Sequence, residues 1–494
     1  MRAFIGVDGE GCNHADGRQR YVLLRAGDQE LWDPSLQGLT GFDCLDFIAT
    51  LAPGPIYVGY SFGYDVSQIL SSMWATLRTE SRITQDIVDS MTQWLQPDRT
   101  RALEDPERAN ELPSFTILHG KYRYRLSWMA GKNFSVWRQA RGSKFGDWPE
   151  RTTIHDVFGF FSSSFTKACT TWKVATPQGV EEMQATKDIR SDFSPERWAA
   201  SGDVLRAYCA TECVWLARLM AAFRRDCIEA KVVPIAWEGA GNLASAMLGS
   251  KRTFRNDQIT PKLLEVCQDA RASYYGGHFE VSRRGLVSGP VHEYDINSAY
   301  PDAMLRLPCL VHTEWFDEPT PEATLAFAEV TWTEYDDRET GWGPFPFRRK
   351  GGTICNPLFG SGWYPGALIR VAQRHGIECA ISKGWWMRTM CDCKPFAWVP
   401  DVYKQRLALG ASTRGYPLKL GLNSCYGKFC QSVGQPVYAN PIYAAMITAD
   451  CRARVDDIAM SHPTNTVMIA TDGVYLSEGT QPDLPTTEEK VLGE

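Results

Sequence analysis

Two aspartates at the ends of separate strands constrain this chain more than any other feature of it. Val291-His292-Glu293-Tyr294-Asp295-Ile296 reads as a short strand, and Pro301 suits the first turn of a following helix, where its missing N–H costs nothing. Asp295 therefore stands where a strand ends and the chain turns. Val467-Met468-Ile469-Ala470 and Val474-Tyr475-Leu476 are apolar runs on either side of Thr471-Asp472-Gly473, an Asp-Gly hairpin signal that puts Asp472 at a hairpin tip. Two carboxylates on adjacent strand ends can bridge two Mg²⁺ ions about 3.5–4 Å apart, with Mn²⁺ as a substitute, and such a clamp activates one oxygen while stabilising another.

A third segment supplies positive charge. In Lys419-Leu420-Gly421-Leu422-Asn423-Ser424-Cys425-Tyr426-Gly427, a helix would present Lys419, Asn423 and Tyr426 on one face, suited to a triphosphate and a base pair. Lys404 and Arg406, fifteen and thirteen residues before Lys419, can add charge toward phosphates. Taken singly, the three segments also fit a plain turn, a solvated helix face and a capping Asp.

Taken together, their order and wording resemble the motifs of B-family DNA polymerases: Asp-x-x-Ser-Leu-Tyr-Pro, Lys-x-x-x-Asn-Ser-x-Tyr-Gly and Asp-Thr-Asp-Ser. Ala299 stands where Leu is usual, and Ala470-Thr471-Asp472-Gly473 lacks the first Asp of the third motif. The resemblance implies a palm and fingers. Asp295 and Asp472 become the catalytic, metal-binding carboxylates, and Ile296 lends a backbone carbonyl. Tyr300 becomes the steric gate against a ribose 2′-OH and Lys419 the holder of the triphosphate, with Asn423, Tyr426, Lys404 and Arg406 completing the nucleotide site.

The N-terminal half carries a second pattern. Phe4-Ile5-Gly6-Val7-Asp8-Gly9-Glu10 is an apolar strand ending in Asp-x-Glu, whose carboxylates point to one side at period two. Asp65 follows the apolar run Tyr57 to Tyr64, and Asp203 to Arg224 reads as a helix with Leu205, Tyr208, Glu212, Trp215 and Leu219 on one stripe. This resembles the 3′-5′ proofreading exonuclease of the same polymerases. Asp8, Glu10, Asp65 and Glu212 would hold two metals, and Tyr208 would orient the water. Ser61 replaces the usual Asn and Glu212 the usual Asp, so the helix is expected to sit slightly further back to admit the longer side chain.

Arg271-Ala272-Ser273-Tyr274-Tyr275-Gly276-Gly277 resembles the Tyr-x-Gly-Gly element of protein-primed polymerases, which makes Tyr274, Gly276 and Gly277 DNA-binding candidates, the glycines admitting a close backbone approach. Ile447-Thr448-Ala449-Asp450-Cys451-Arg452 is similar to that group's Thr-x-x-Gly-Arg segment, which implies that Thr448 and Arg452 meet template phosphates. Arg123, Arg125, Lys132, Arg138 and Arg141, interleaved with Tyr122, Tyr124, Trp128 and Trp137, offer either a strand-binding surface or a solvated basic face.

The expected architecture is α/β and α+β multidomain: a ribonuclease-H-like exonuclease domain over 1–270, linker and first palm part over 271–306, fingers over 396–430 and the returning palm over 431–494. Residues 307–395, rich in Pro, Gly and Trp, including Gly341 to Pro346, resemble the first terminal-protein-region insertion. The second such insertion is expected to be missing or very short, since only Lys428 to Pro441 separates the fingers helix from the returning palm helix. With 22 residues after Asp472, a thumb is also expected to be missing, so the chain would be a fragment or would need a separate thumb-bearing polypeptide.

Composition agrees. In 494 residues, 44% apolar with 17 Trp, several cores can form, and a net charge of −6 suits acidic metal sites beside a locally basic DNA channel. Fifteen cysteines, scattered and odd in number, fit a reducing compartment rather than a disulfide framework. Cys391-Asp392-Cys393 has no evident partner pair, so structural zinc is not expected. No signal peptide is evident, and no apolar run approaches the roughly 18 residues a membrane helix needs. The expectation is a cytoplasmic protein, in the host cytoplasm if phage-encoded, acting on DNA primer-template and dNTPs, with a terminal protein as one candidate primer. The alternatives are an exonuclease with a degenerate palm and a non-catalytic DNA-binding subunit of a split replicase.

Overall fold

The computed structural model describes residues 2–95, 114–144, 148–149, 151–333, 342–410, 413–431, 436–477 and 491–494. The chain forms two compact units, one of residues 1–246, 406–421 and 433–435, the other of 247–405, 422–432 and 436–494. Part of the expected fingers thus groups with the first unit. Residues 478–490, 432–435 and Gly341, on which the expectations about the chain's end, the second insertion and the Gly-Trp run partly fall, lie outside the described residues.

The first unit is built on β1 (Phe4–Asn13), β2 (Gln19–Ala26), β3 (Gln29–Trp32), β4 (Ile56–Gly59), β5 (Phe115–His119), β6 (Tyr122–Met129), β7 (Asn133–Ala140) and β8 (Thr152–Asp156). They form one mixed sheet in the order β3-β2-β1-β4-β8-β7-β6-β5. β1 and β4, and β4 and β8, run parallel, so β1 lies inside the sheet with partners on both edges. One apolar core joins the sheet to the helix Gly41–Thr50 and to α1 (Gly63–Thr79), through residues such as Val7, Leu24, Leu45, Ile48, Ile69 and Met73. A second, with Val22, Leu23, Trp198, Leu205 and Cys209, joins it to the long helix Pro195–Glu229.

That long helix, α3, follows α2 (Pro177–Asp188), and the two begin alike. Thr176 and Ser194 accept hydrogen bonds from backbone amides of the first turn, and each is followed by proline at the first helical position, where φ is preset. α3 is longer than the sequence pattern suggests, its first turns being offset by a non-helical Ser201. A Cβ at Gly6 would lie 2.1 Å from the Cys213 carbonyl oxygen, so only glycine lets α3 lie this close to β1.

In the second unit, β9 (His278–Val281), β10 (Val291–Asp295), β17 (Thr466–Thr471) and β18 (Gly473–Ser477) form an antiparallel sheet ordered β10-β18-β17-β9. A short helix, α4 (Ala299–Met304), follows β10, and α5 (Val399–Leu409), α6 (Tyr416–Phe429) and α7 (Pro441–Ser461) come later in the chain. α7 packs on the sheet, joining Ala449, Cys451, Val455 and Ala459 to Ile469, Val474 and Leu476 in one core.

The segment between holds β11 (Thr313–Phe316), β12 (Thr324–Trp332), β15 (Gly360–Pro365) and β16 (Cys379–Thr389) in the order β11-β16-β12-β15, with β13 (Phe347–Arg348) and β14 (Ile354–Cys355) as a separate hairpin. Antiparallel pairing of β11 with β16 brings the chain entering this sheet beside the chain leaving it. The Cys391-x-Cys393 pair, unpartnered in the linear sequence, there meets Cys309 and His312. Among the described residues no helix is long and apolar enough to cross a membrane.

Two candidate carboxylate sites

β10 and β18 pair so that Asp295 stands opposite Gly473, and the Ile296 amide donates to the Asp472 carbonyl at 3.0 Å. Asp295 and Asp472 are thus neighbours at two strand ends, as the hairpin signal implies. Thr471, a β-branched residue, holds φ at +60° to make the turn, and its hydroxyl donates to Asp472 Oδ1 at 2.6 Å, aiming that carboxylate. Desolvation, then the charges of Asp472 and Glu293, push Asp295 up to about 6. Glu293 shares a strand face with Asp295 at period two and accepts from the Tyr475 hydroxyl at 2.5 Å. The sequence reading overlooked it, although Glu-x-Asp mirrors the Asp8-x-Glu10 spacing. Among the described residues, no basic side chain forms an ion pair with Asp295 or Asp472.

Tyr300, on α4, stacks on Tyr426 of α6 with ring centres 4.3 Å apart and planes at 22°. Behind it, a Cβ on Gly277 would meet the Tyr300 hydroxyl at 2.9 Å and the Thr471 methyl at 3.1 Å, and Gly276 takes φ +75°. What comes close to Gly277 is therefore the protein's own Tyr300 and Thr471, whereas a Cβ on Gly276 would meet open space. The Tyr274 hydroxyl donates to Cys430 Sγ at 3.2 Å.

Arg452 and Thr448 correct the expectation that they meet template phosphates. Both are 2% exposed. Arg452 donates to the carbonyls of Gly276 and Gly277 at 2.8 and 2.9 Å, and Thr448 donates to the carbonyl of Ala444, one turn back in α7. The guanidinium holds the glycine pair from behind, beside a buried His278–Asp456 pair at 2.5 Å. Lys419, Asn423 and Tyr426 share α6, with Lys419 exposed, and Lys404 and Arg406 lie on α5, with Lys404 exposed. Lys419 and Arg406 fall in the first compact unit, Lys404, Asn423 and Tyr426 in the second.

The other site lies wholly within the first unit. β1 contributes Asp8 and Glu10, the first turn of α1 contributes Asp65, and α3 contributes Tyr208 and Glu212. Glu10, Asp65 and Glu212 are buried. Arg190 donates to Glu10 Oε1 and Glu212 Oε2, both at 3.0 Å, and Lys187 reaches Glu212 at 2.5 Å. The guanidinium also lies 5.7 Å from the Tyr208 ring centre. The Tyr21 hydroxyl donates to Asp65 Oδ1 at 2.8 Å.

Burial, reinforced by the charges of Glu212, Asp65 and Glu10, holds Asp8 well above the usual carboxylate range. Burial raises Glu10 to about 8 against the pull of Arg190, and Asp65 to about 7 against its bond from Tyr21. At Glu212 burial also raises, but Lys187 and Arg190 outweigh it and the carboxyl ends lower than usual. Lys187 and Arg190 were missed in the sequence. The available signal was a cation in the last turn of α2 and another in the short turn after it, just before the Ser194-Pro195 start of α3.

Ser61, in the place of the usual Asn, sits at φ +58° with its amide on Asp156 Oδ1 at 3.0 Å. In the basic and aromatic stretch of β6 and β7, several groups are already engaged. Arg138 pairs with Asp46 at 2.8 Å, Lys132 donates to the Glu238 carbonyl at 3.0 Å, and Tyr124 is buried.

Residues 181–438 match the sequence profile of DNA polymerase type B, organellar and viral. With more than half its length matched, the chain belongs to this family and is a DNA-directed DNA polymerase. Family membership implies dependence on a divalent metal. Among solved structures, 98% of the chain aligns with 81% of phi29 DNA polymerase in its ternary complex with primer-template DNA and incoming nucleotide, at TM-score 0.57 and 14% identity. The orthorhombic crystal form of the same polymerase gives TM-score 0.59, also at 14% identity and the same coverage. At this identity the likeness is one of fold: an exonuclease-type domain with palm and fingers. A search of curated protein sequences found no match.

Proposed function

We propose that this polymerase adds dNMPs to a primer 3′-OH at the ends of β10 and β18, taking DNA primer-template and dNTPs as substrates, the ligands with which phi29 polymerase has been crystallised. The observation that carries the proposal is the meeting of Asp295 and Asp472 across β10 and β18 with no basic side chain of the described residues paired to either. Two crowded, uncompensated carboxylates fit Mg²⁺ or Mn²⁺, which Asp295, Asp472 and the Ile296 carbonyl would hold. When bound, a pair of such ions lowers the pKa of the attacking hydroxyl and neutralises charge building on the phosphates. The rest falls to the chain's own groups. Tyr300, braced by Tyr426 and Gly277, excludes a 2′-hydroxyl, and Arg452 fixes the Tyr274 to Gly277 segment from within. Lys419 attracts the triphosphate, with Lys404 and Arg406 adding positive charge, and Asn423 lines the same helix face. Extension of a labelled primer by Asp295→Asn and Asp472→Asn tests the reading. Each should be inactive, and extension at more than a few per cent of wild type would refute it.

A second activity, 3′-5′ exonuclease, is favoured by the first-unit cluster. Asp8, Glu10, Asp65 and Glu212 are four carboxyl groups against two cations, and the raised pKa of the first three marks an acidic surplus that Lys187 and Arg190 do not compensate and whose protons a divalent cation would replace. Tyr208 would orient the attacking water. Degradation of a single strand with Mg²⁺ or Mn²⁺ by carefully purified protein tests it, and no degradation under either metal would leave the domain as a scaffold.

A further inference from the structure

We propose that Cys309, His312, Cys391 and Cys393 form a structural zinc site that ties together the two ends of the insertion. This lies apart from both carboxylate sites and does not depend on their roles. The four side chains each offer one ligand atom, and all four atoms lie within 4.8 Å of one another. His312 Nδ1 is 3.5 Å from Cys309 Sγ and 3.7 Å from Cys393 Sγ. Zinc bonds of about 2.3 Å to sulfur and 2.0 Å to nitrogen, arranged tetrahedrally, imply ligand-to-ligand edges of roughly 3.5–3.8 Å. The two edges to His312 already match the ion's first coordination shell, and the others, at 4.8 Å or less, would close on it by about 1 Å at most. Three thiols and one imidazole, with no carboxylate among them, make the Cys₃His donor set that closed structural zinc sites use.

The backbone holds these groups in place. The His312 amide donates to the Cys309 carbonyl at 3.2 Å, closing a tight turn, and the Thr313 hydroxyl donates to the same carbonyl at 2.8 Å. Thr313 then pairs with Thr389 at the end of the β11–β16 ladder, and the Met390 amide extends the ladder to the His312 carbonyl at 2.8 Å. The turn before β11 is thereby set against the turn after β16. The Tyr443 hydroxyl of α7 donates to the Pro308 carbonyl at 2.9 Å, anchoring the entering strand to the palm core. A metal here would pin the insertion at its base, and closing so long a loop stabilises chiefly by restricting the unfolded chain.

The test is the metal content of the full chain, purified without chelator and then dialysed against a mild one that strips the carboxylate sites. We expect about one zinc per chain. It should fall to background in Cys309→Ala and in Cys391→Ser with Cys393→Ser, and persist in Asp295→Asn and in Asp8→Ala with Asp65→Ala. Wild-type protein refolded with cobalt in place of zinc gives an answer that needs no variant: tetrahedral ligand-field bands with thiolate charge transfer are expected. Wild-type protein without zinc and without those bands would overturn the site. So would zinc unchanged in Cys309→Ala, or a thiol titration showing two of the three cysteines joined as a disulfide.

Discussion

At the ends of β10 and β18, Asp295 is exposed, Asp472 partly so, and no cation of the described residues pairs with either. In the first unit, Glu10, Asp65 and Glu212 are buried, and Arg190 and Lys187 reach into the cluster. The difference follows from solvation. Water at the strand ends stabilises a small cluster of negative charge, so that site can stand open to a metal and to a substrate that must enter and leave. Buried carboxylates lack that help and must be neutralised by protons, by metals or by basic side chains. The first-unit site uses two basic side chains, and a cation binding there competes with them.

The largest effect should come from splitting the two sites. Asp8→Ala with Asp65→Ala should lower strand degradation by roughly 10³-fold and leave primer extension intact, while Asp295→Asn should do the reverse. Parallel assays of both activities on both proteins check this. Loss of both activities in either protein would mean that the sites are not separate machines.

Next comes Arg190→Met, which probes the compensation itself. Leaving Glu10 and Glu212 without their shared partner should destabilise the metal-free protein by about 2–3 kcal/mol, less than a fully buried pair because the guanidinium keeps contact with water. Divalent cations should restore more stability to this variant than to wild type, by thermal melts with and without Mn²⁺. Equal rescue would show that Arg190 and metal do not compete. Among the described residues no equivalent variant exists at the strand-end site, since none of their cations pairs with Asp295 or Asp472.

Tyr300→Val should have a smaller effect, a loss of about 10-fold in dNTP over rNTP discrimination, with a lesser loss of dNTP use as the stack on Tyr426 disappears. Single-nucleotide incorporation measures both. Unchanged discrimination would remove Tyr300 from the nucleotide site and leave it a packing residue.

The two sites also differed in how far they could be read from sequence. Asp295 and Asp472 follow from local rules, a strand end before a proline helix and an Asp-Gly turn. Asp8 with Glu10 follows from period two, and Tyr208 with Glu212 from helical spacing. What stayed hidden depends on tertiary pairing. Arg190 meets Glu10 only because the start of α3 returns the chain to β1, and Cys309 meets Cys391 only because β11 pairs with β16. Arg452 was misread for the opposite reason. A charged residue is exposed by default, and its burial depends on two carbonyls that the Gly276-Gly277 turn happens to present. The contact of α3 with the sheet stayed hidden because Gly6, a residue with no side chain to suggest one, is where the helix touches β1.

The smallest effect expected is a pH dependence that should appear in one unit and hardly in the other. Folding raises Asp65 to about 7 and Glu10 to about 8, with Asp8 also raised, above the ordinary carboxylate range of the unfolded chain. A raised carboxyl binds its proton more tightly when folded. Its contribution to stability is therefore complete below the unfolded value and is lost as pH climbs through the folded one. The loss runs from about pH 4.5, where the unfolded carboxyls ionise, to about pH 8. Glu212, shifted the other way by Lys187 and Arg190, loses its contribution only in acid and does not cancel this slope. Asp295, raised to about 6 chiefly by partial desolvation, is still an exposed residue, and solvent screening leaves it little weight. Metal-free protein should thus melt a few degrees lower at pH 8.5 than at pH 6, with the loss confined to amides of β1, α1 and α3 in hydrogen exchange. Mn²⁺ should flatten the slope, because a cation replaces the protons. A slope that persists in Asp8→Ala with Asp65→Ala, or protection lost equally in β10 and β18, would mean that the buried cluster is not its source.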